Sequence, residues 1–105
     1  MGNIFSVQIT KKAANEIYKI IDYIEYELKN PTAGAKQFLD FQTRIEQLKI
    51  DAELYQVFMI LDEIKIRRIN VNKYLLLYMI EGKVATVLRA FHGNQDIKKQ
   101  VRSTQ

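Results

Sequence analysis

The sequence has no cysteine, one proline, one histidine and four glycines in 105 residues. The missing cysteines exclude a disulfide framework, a thiolate nucleophile and a Cys-based zinc site, a composition that fits a reducing interior. Long apolar runs are missing too: the longest, around residues 74–80, falls far short of the ~20 residues a membrane span requires. The N-terminus lacks the charged-then-apolar layout of a signal peptide, so a soluble, cytoplasmic protein with no membrane association is expected. Repeats, low-complexity tracts and linkers are absent, leaving residues 1–105 as a single domain. Folding a chain of this length should bury roughly 65% of its unfolded surface, enough for one core without staples.

What is present is charge, unevenly placed. Residues 1–63 carry seven Lys/Arg against ten Asp/Glu, a net of −3, whereas residues 64–105 carry nine against two, a net of +7. A segregated positive surface is the footprint expected for a polyanion, either nucleic acid or an acidic protein partner, and otherwise a solvated basic rim.

Periodicity supplies the elements. Phe5, Val7 and Ile9 alternate as a short half-buried strand, and Thr10 then caps a helix whose stripe is Ala13, Ile17, Ile20, Ile21, Ile24 and Leu28. Asn30-Pro31 breaks it and opens a second helix with the stripe Ala35, Phe38, Leu39, Phe41, Ile45 and Leu48, giving an antiparallel hairpin. Residues 51–63 hold a five-residue apolar run that suits a short strand or a helix end equally, and they are read as an irregular connection. Residues 64–96 then form three strands. The middle one, apolar on both faces over residues 75–80, should be central. Ile64 and Ile66 are out of phase with Ile69 and Val71, which predicts a bulge at Arg67-Arg68. Turns fall at Asn72-Lys73, at Gly82 and at Gly93-Asn94, and one or two helical turns follow Asp96. The fold class is α+β: an N-terminal strand, an antiparallel two-helix hairpin and a three-strand antiparallel meander, the helices packed on one face of the sheet.

Strand alternation puts Arg89 with Ala85, Val87 and Phe91, and His92 with Val84, Thr86, Leu88 and Ala90, so Arg89 and His92 should point to opposite faces. Arg89 either meets phosphate or a partner, or pairs with Asp96 across the turn. Arg67 and Arg68 either bind phosphates or protect an edge strand with charge. Tyr74 and Tyr78 read as core, Tyr18 and Tyr26 as an interaction face or a half-buried rim, and Lys11-Lys12 as a solvated helix end. Asp22, Glu25 and Glu27 share a helix with no convergent histidine, so neither a metal site nor any other cofactor is expected.

Arg68-Ile69-Asn70-Val71 with Tyr74-Leu75-Leu76-Leu77-Tyr78, then Val87-Leu88-Arg89-Ala90-Phe91-His92-Gly93 and Asp96, resembles the signature of the RelE/ParE toxin superfamily of bacterial type II toxin-antitoxin systems. The helical stretches on either side of Asn30-Pro31 resemble that family's hairpin, so the likeness spans nearly the whole chain. It implies a toxin silenced by a cognate antitoxin, whose helix or extended segment covers the groove beside Arg89. One branch of the family cleaves mRNA on the ribosome and another inhibits DNA gyrase; a third outcome is an inactive relative that still binds its antitoxin.

Cleavage by an RNA 2′-hydroxyl needs a proton acceptor, a proton donor and cations at the phosphate. The resemblance implies Arg89, His92 and Arg68 as the catalytic set: Arg89 with Arg68, or in its place Arg67 or Lys65, as cations because arginine keeps its proton, and His92 either as the acid-base group or as a strand-end residue bonding to a turn carbonyl. Lys65, Arg67, Lys73 and Asp96 complete the site as RNA- or partner-binding residues. The C-terminal tail carries no Tyr and no second His, so the tyrosine that several cleaving relatives place there is missing. The basic C-terminal half tips the expectation toward ribosome-dependent mRNA cleavage by a metal-independent endoribonuclease, with gyrase inhibition or an inactive relative as the alternatives, although the missing tyrosine counts against cleavage.

Overall fold

The computed structural model describes residues 4–93 and 96–103. In chain order the elements are β1 (Ser6–Ile9), α1 (Lys11–Asp22), a π-helical turn (Tyr23–Glu27), α2 (Pro31–Asp51), β2 (Val57–Leu61), β3 (Ile64–Val71), β4 (Tyr74–Glu81), β5 (Val84–His92) and α3 (Ile97–Ser103). One five-stranded sheet runs β1-β5-β4-β3-β2, with β1 parallel to β5 and every other pair antiparallel. Among the described residues no helix is long and apolar enough to cross a membrane.

Local chemistry accounts for most boundaries. The Thr10 side chain accepts from the Ala13 amide at 3.0 Å and donates to the Leu88 carbonyl at 3.1 Å, capping α1 and tying its start to β5. Asn30 caps α2 through the Ala33 amide at 3.1 Å, with Pro31 inside the first turn. Asn72 takes φ 60° in the β3–β4 turn and Gly82 takes φ 61° in the β4–β5 turn, the left-handed region that tight hairpins require. The expected turn at Gly93-Asn94 is present at Gly93; Asn94 lies outside the described residues.

The stretch expected as an irregular connection contains β2. Asp62 and Glu63, at φ 51° and 69°, close a two-residue turn that folds the apolar run back onto β3, so the meander has four strands. The bulge expected at Arg67-Arg68 is not there. The β3–β4 register is continuous, because Ile66 faces one side and Ile69 with Val71 the other, and both sides are covered. The irregularities fall instead at Phe58, opposite Ile66 and Arg67, and at Leu88, opposite Leu77 and Tyr78.

The hairpin packs Ala13, Ile17, Ile21, Phe41, Ile45 and Leu48 against Ile69, Val71, Leu76, Tyr78, Ala85, Val87 and Ala90. On the opposite face α3 lays Ile97 and Val101 over Met59, Ile66, Leu75, Leu77 and Phe91. With both faces covered, Leu75, Leu76, Leu77 and Tyr78 have no exposed surface, as a central strand demands. The α2 stripe differs at its start. Gly34 and Gln37 are buried there, while Ala35 and Leu39 face solvent.

Candidate functional site

β1 ends before Thr10, so among the described residues β5 beyond Val87 has no strand on that side. Glu16, two turns into α1, fills the gap: its Oε1 accepts from the Ala90 amide at 3.0 Å, as a neighbouring strand carbonyl would. The same carboxylate holds Arg89, with Nε 3.0 and 3.1 Å from its two oxygens and Nη2 2.8 Å from Oε2. The Arg89 side chain is 10% exposed and that of Glu16 21%, and the guanidinium lies 4.4 Å over the Phe91 ring. Planar, bidentate and screened from water, this is the geometry in which an arginine-carboxylate pair is strongest. The expected alternative, an Arg89–Asp96 clamp, is not formed. Asp96 instead accepts from the Lys99 amide at 3.3 Å at the start of α3.

The irregularity at Leu88 changes which residues share a face. Arg89 and Phe91 pair across the ladder with Leu77 and Leu75 on the α3 side, whereas Ala85, Val87, Ala90 and His92 belong to the hairpin side. The grouping of Arg89 with Ala85 and Val87 is therefore corrected, and its separation from His92 stands. The His92 ring meets Tyr74 edge-on at 5.3 Å, and with Lys19, Ile20, Tyr23, Leu28 and Lys73 these two line a cavity of about 450 Å³. Burial, with Tyr23 nearby, pushes the Tyr74 phenol above its ordinary pKa, so it is a neutral hydroxyl at physiological pH.

Arg68 lies elsewhere. Its Nε donates to Asn70 Oδ1 at 3.0 Å and its guanidinium sits 5.2 Å from the Phe58 ring, which Lys98 also approaches to 5.1 Å. Arg67 turns to the hairpin side, where Nη1 donates to the carbonyls of Tyr55 at 2.5 Å and Glu53 at 3.3 Å, anchoring the chain before β2. Lys65 is exposed on β3 opposite Ile60. Tyr78 is core: its hydroxyl donates to the Ala52 carbonyl, and burial raises its pKa strongly. Tyr18 is half-exposed with its ring stacked on Phe38, and Tyr26 is exposed. Among the described residues no cluster of His, Cys, Asp and Glu is arranged to hold a metal ion.

Arg89 thus meets a carboxylate from α1, His92 an aromatic ring on β4, and Arg68 the Asn70 amide with a ring on β2. Glu16 was not legible as a site residue. It is an ordinary polar position beside a helix stripe, and its partner is 73 residues away.

Three comparisons place the chain. The model of the ParE toxin of type II toxin-antitoxin systems, parDE, matches residues 7–97. Among solved structures, the chromosomal ParDE system from P. aeruginosa superposes with TM-score 0.72 at 20% identity, covering 85% of this chain and 96% of that one. The archaeal RelE-RelB complex from Pyrococcus horikoshii OT3 superposes with TM-score 0.55 at 17% identity, covering 88% and 98%. No curated protein matches. The two structural likenesses, at these identities, speak to the fold; the family model covers most of the sequence, and the chain belongs to the ParE toxin family of type II toxin-antitoxin systems.

Proposed function

We propose that this toxin arrests growth by binding DNA gyrase, without chemistry of its own, and that a cognate antitoxin silences it. The observation that carries this reading is the state of Arg89. Its guanidinium is held by Glu16, and freeing it for a phosphate would strip a partly buried carboxylate of that cation and leave it only the Ala90 amide, at a cost of a few kcal/mol. Arg89 and His92 also face opposite sides of the sheet, so a phosphate on one is not within reach of the other as acid or base. The family model, which is that of ParE, supports the same side.

Ribosome-dependent mRNA cleavage is the second reading. It is favoured by the +7 net charge of residues 64–105 and by Arg68 and Lys98 meeting at Phe58. The test sets the two side by side: supercoiling of relaxed plasmid by gyrase, and mapping of mRNA 5′ ends in a translating extract, each with the purified toxin. Inhibited supercoiling with intact mRNA is expected. Ribosome-dependent cuts that vanish in Arg68→Ala, with gyrase unaffected, would overturn the proposal.

A further inference from the structure

The cavity beside His92 is a different place from the Arg89–Glu16 edge, and the first helical stretch and the sheet build it together. α1 and the π-helical turn contribute Lys19, Ile20 and Tyr23, the residue after that turn is Leu28, the β3–β4 turn contributes Lys73, and the sheet contributes Tyr74 and His92. The π turn is what brings Tyr23 and Leu28 together, since the Leu28 amide donates to the Tyr23 carbonyl at 3.1 Å across five residues. Such turns are rare and recur at functional sites. The sheet side is fixed as firmly: the Gly93 amide donates to the Lys73 carbonyl at 2.9 Å, and a Cβ on Gly93 would stand 3.2 Å from that oxygen.

The chemistry of the lining is one-sided. Its walls are apolar, with Tyr23 54% and Leu28 56% exposed at the mouth. Its cations are the exposed Lys19 and Lys73, and no Asp or Glu lines it. We infer that this cavity is the anchor point for a segment of the antitoxin that carries an aromatic or branched side chain next to a carboxylate. The inference rests on the antitoxin pairing proposed above and not on gyrase as the target. The side chain fills the apolar space, covering Tyr23 and Leu28, while the carboxylate meets Lys19 and Lys73. A desolvated apolar centre rimmed by opposite charges is how a few residues come to dominate an interface.

The test uses the complex with the co-expressed antitoxin. Affinity is measured by calorimetry at low and high salt for the native toxin, for the double variant Lys19→Glu/Lys73→Glu, and for the control Lys11→Glu/Lys12→Glu, which changes net charge equally at the other end of α1. Both cavity lysines are exposed, so the fold should survive, which thermal melts of the variants check. The cavity variant should bind at least tenfold more weakly and lose most of its salt dependence, with the control close to native. His92 is the single histidine, so its ring signals in NMR report the cavity directly and should shift on complex formation. Affinity within threefold of native, or unmoved His92 signals, would overturn the inference. So would a cavity variant that keeps the antitoxin but loses gyrase inhibition, because the cavity would then serve the target. RNA cleavage in place of gyrase inhibition would sink the proposed target and leave this interface standing.

Discussion

At the scale of single residues, Glu16 decides what Arg89 can do. Its carboxylate makes three bonds to the guanidinium and one to the Ala90 amide, replacing the strand that β1 fails to extend. Removing it takes the carboxylate away from a nearly buried cation and the acceptor away from an edge amide. Glu16→Ala should therefore cost about 3 kcal/mol, read as a lower urea midpoint with an unchanged slope. Replacing both partners, as in Glu16→Leu/Arg89→Met, should recover most of that loss, because no buried charge remains. A double variant no more stable than Glu16→Ala would mean that the pair's worth lies in its hydrogen bonds to the edge. Arg89 stood out in the sequence as a strand arginine beside a turn; its partner did not. Asp96 is seven residues away and suggested a turn clamp, while the acid that does the work comes from the other end of the chain.

At the scale of elements, the helix stripes show where hydropathy stops being informative. Ala13, Ile17, Ile21 and Ile24 are buried as their spacing requires, yet Leu28 is exposed because the π turn shifts the phase after Asp22. In α2 the buried positions of the first turns are Gly34 and Gln37, which an apolar stripe cannot reveal. Gln37 is buried by virtue of its bonds, with its amide nitrogen donating to the Val71 carbonyl at 3.5 Å and its oxygen accepting from Asn72 at 3.0 Å. Gly34 is buried because the π turn lies on it: a Cβ there would stand 2.5 Å from Glu25 Cγ, near the root of that side chain.

Two effects compete at Gly34→Ala. Alanine gains about 1 kcal/mol of helix propensity, and the clash costs roughly 1–3 kcal/mol, so the substitution should destabilise the native protein. In a Glu25→Ala background the clash is gone and only the propensity remains, so the same substitution should then stabilise by up to about 1 kcal/mol. Thermal melts of the four proteins in this cycle measure it. A stabilising effect in both backgrounds would show that Glu25 moves aside freely.

At the scale of the whole molecule, order and layers were legible because they follow from apolar runs and turn residues: the capped hairpin, the Asn72 and Gly82 turns, and the central strand with both faces apolar. Two features were not. The strand β2 depends on a left-handed turn at Asp62-Glu63, residues that carry no strong turn signal, and the ladder breaks at Phe58 and Leu88 depend on which face each neighbour buries. A helical hairpin on one face leaves the other face of the sheet to be covered, and α3 closes it. Ile97 and Val101 are 5% and 7% exposed over Leu75, Leu77 and Phe91. Burying each such side chain contributes roughly 1.5–3 kcal/mol, a large share of the stability of a domain this size. Ending the chain before Ile97 should therefore remove about 3–6 kcal/mol, and it also uncovers an apolar patch in the middle of the sheet. The shortened protein should melt well below the native one and bind a hydrophobic dye in its folded state. Native-like melting without dye binding would mean that the sheet relaxes over its own second face, and α3 would then be an appendage rather than half of the core.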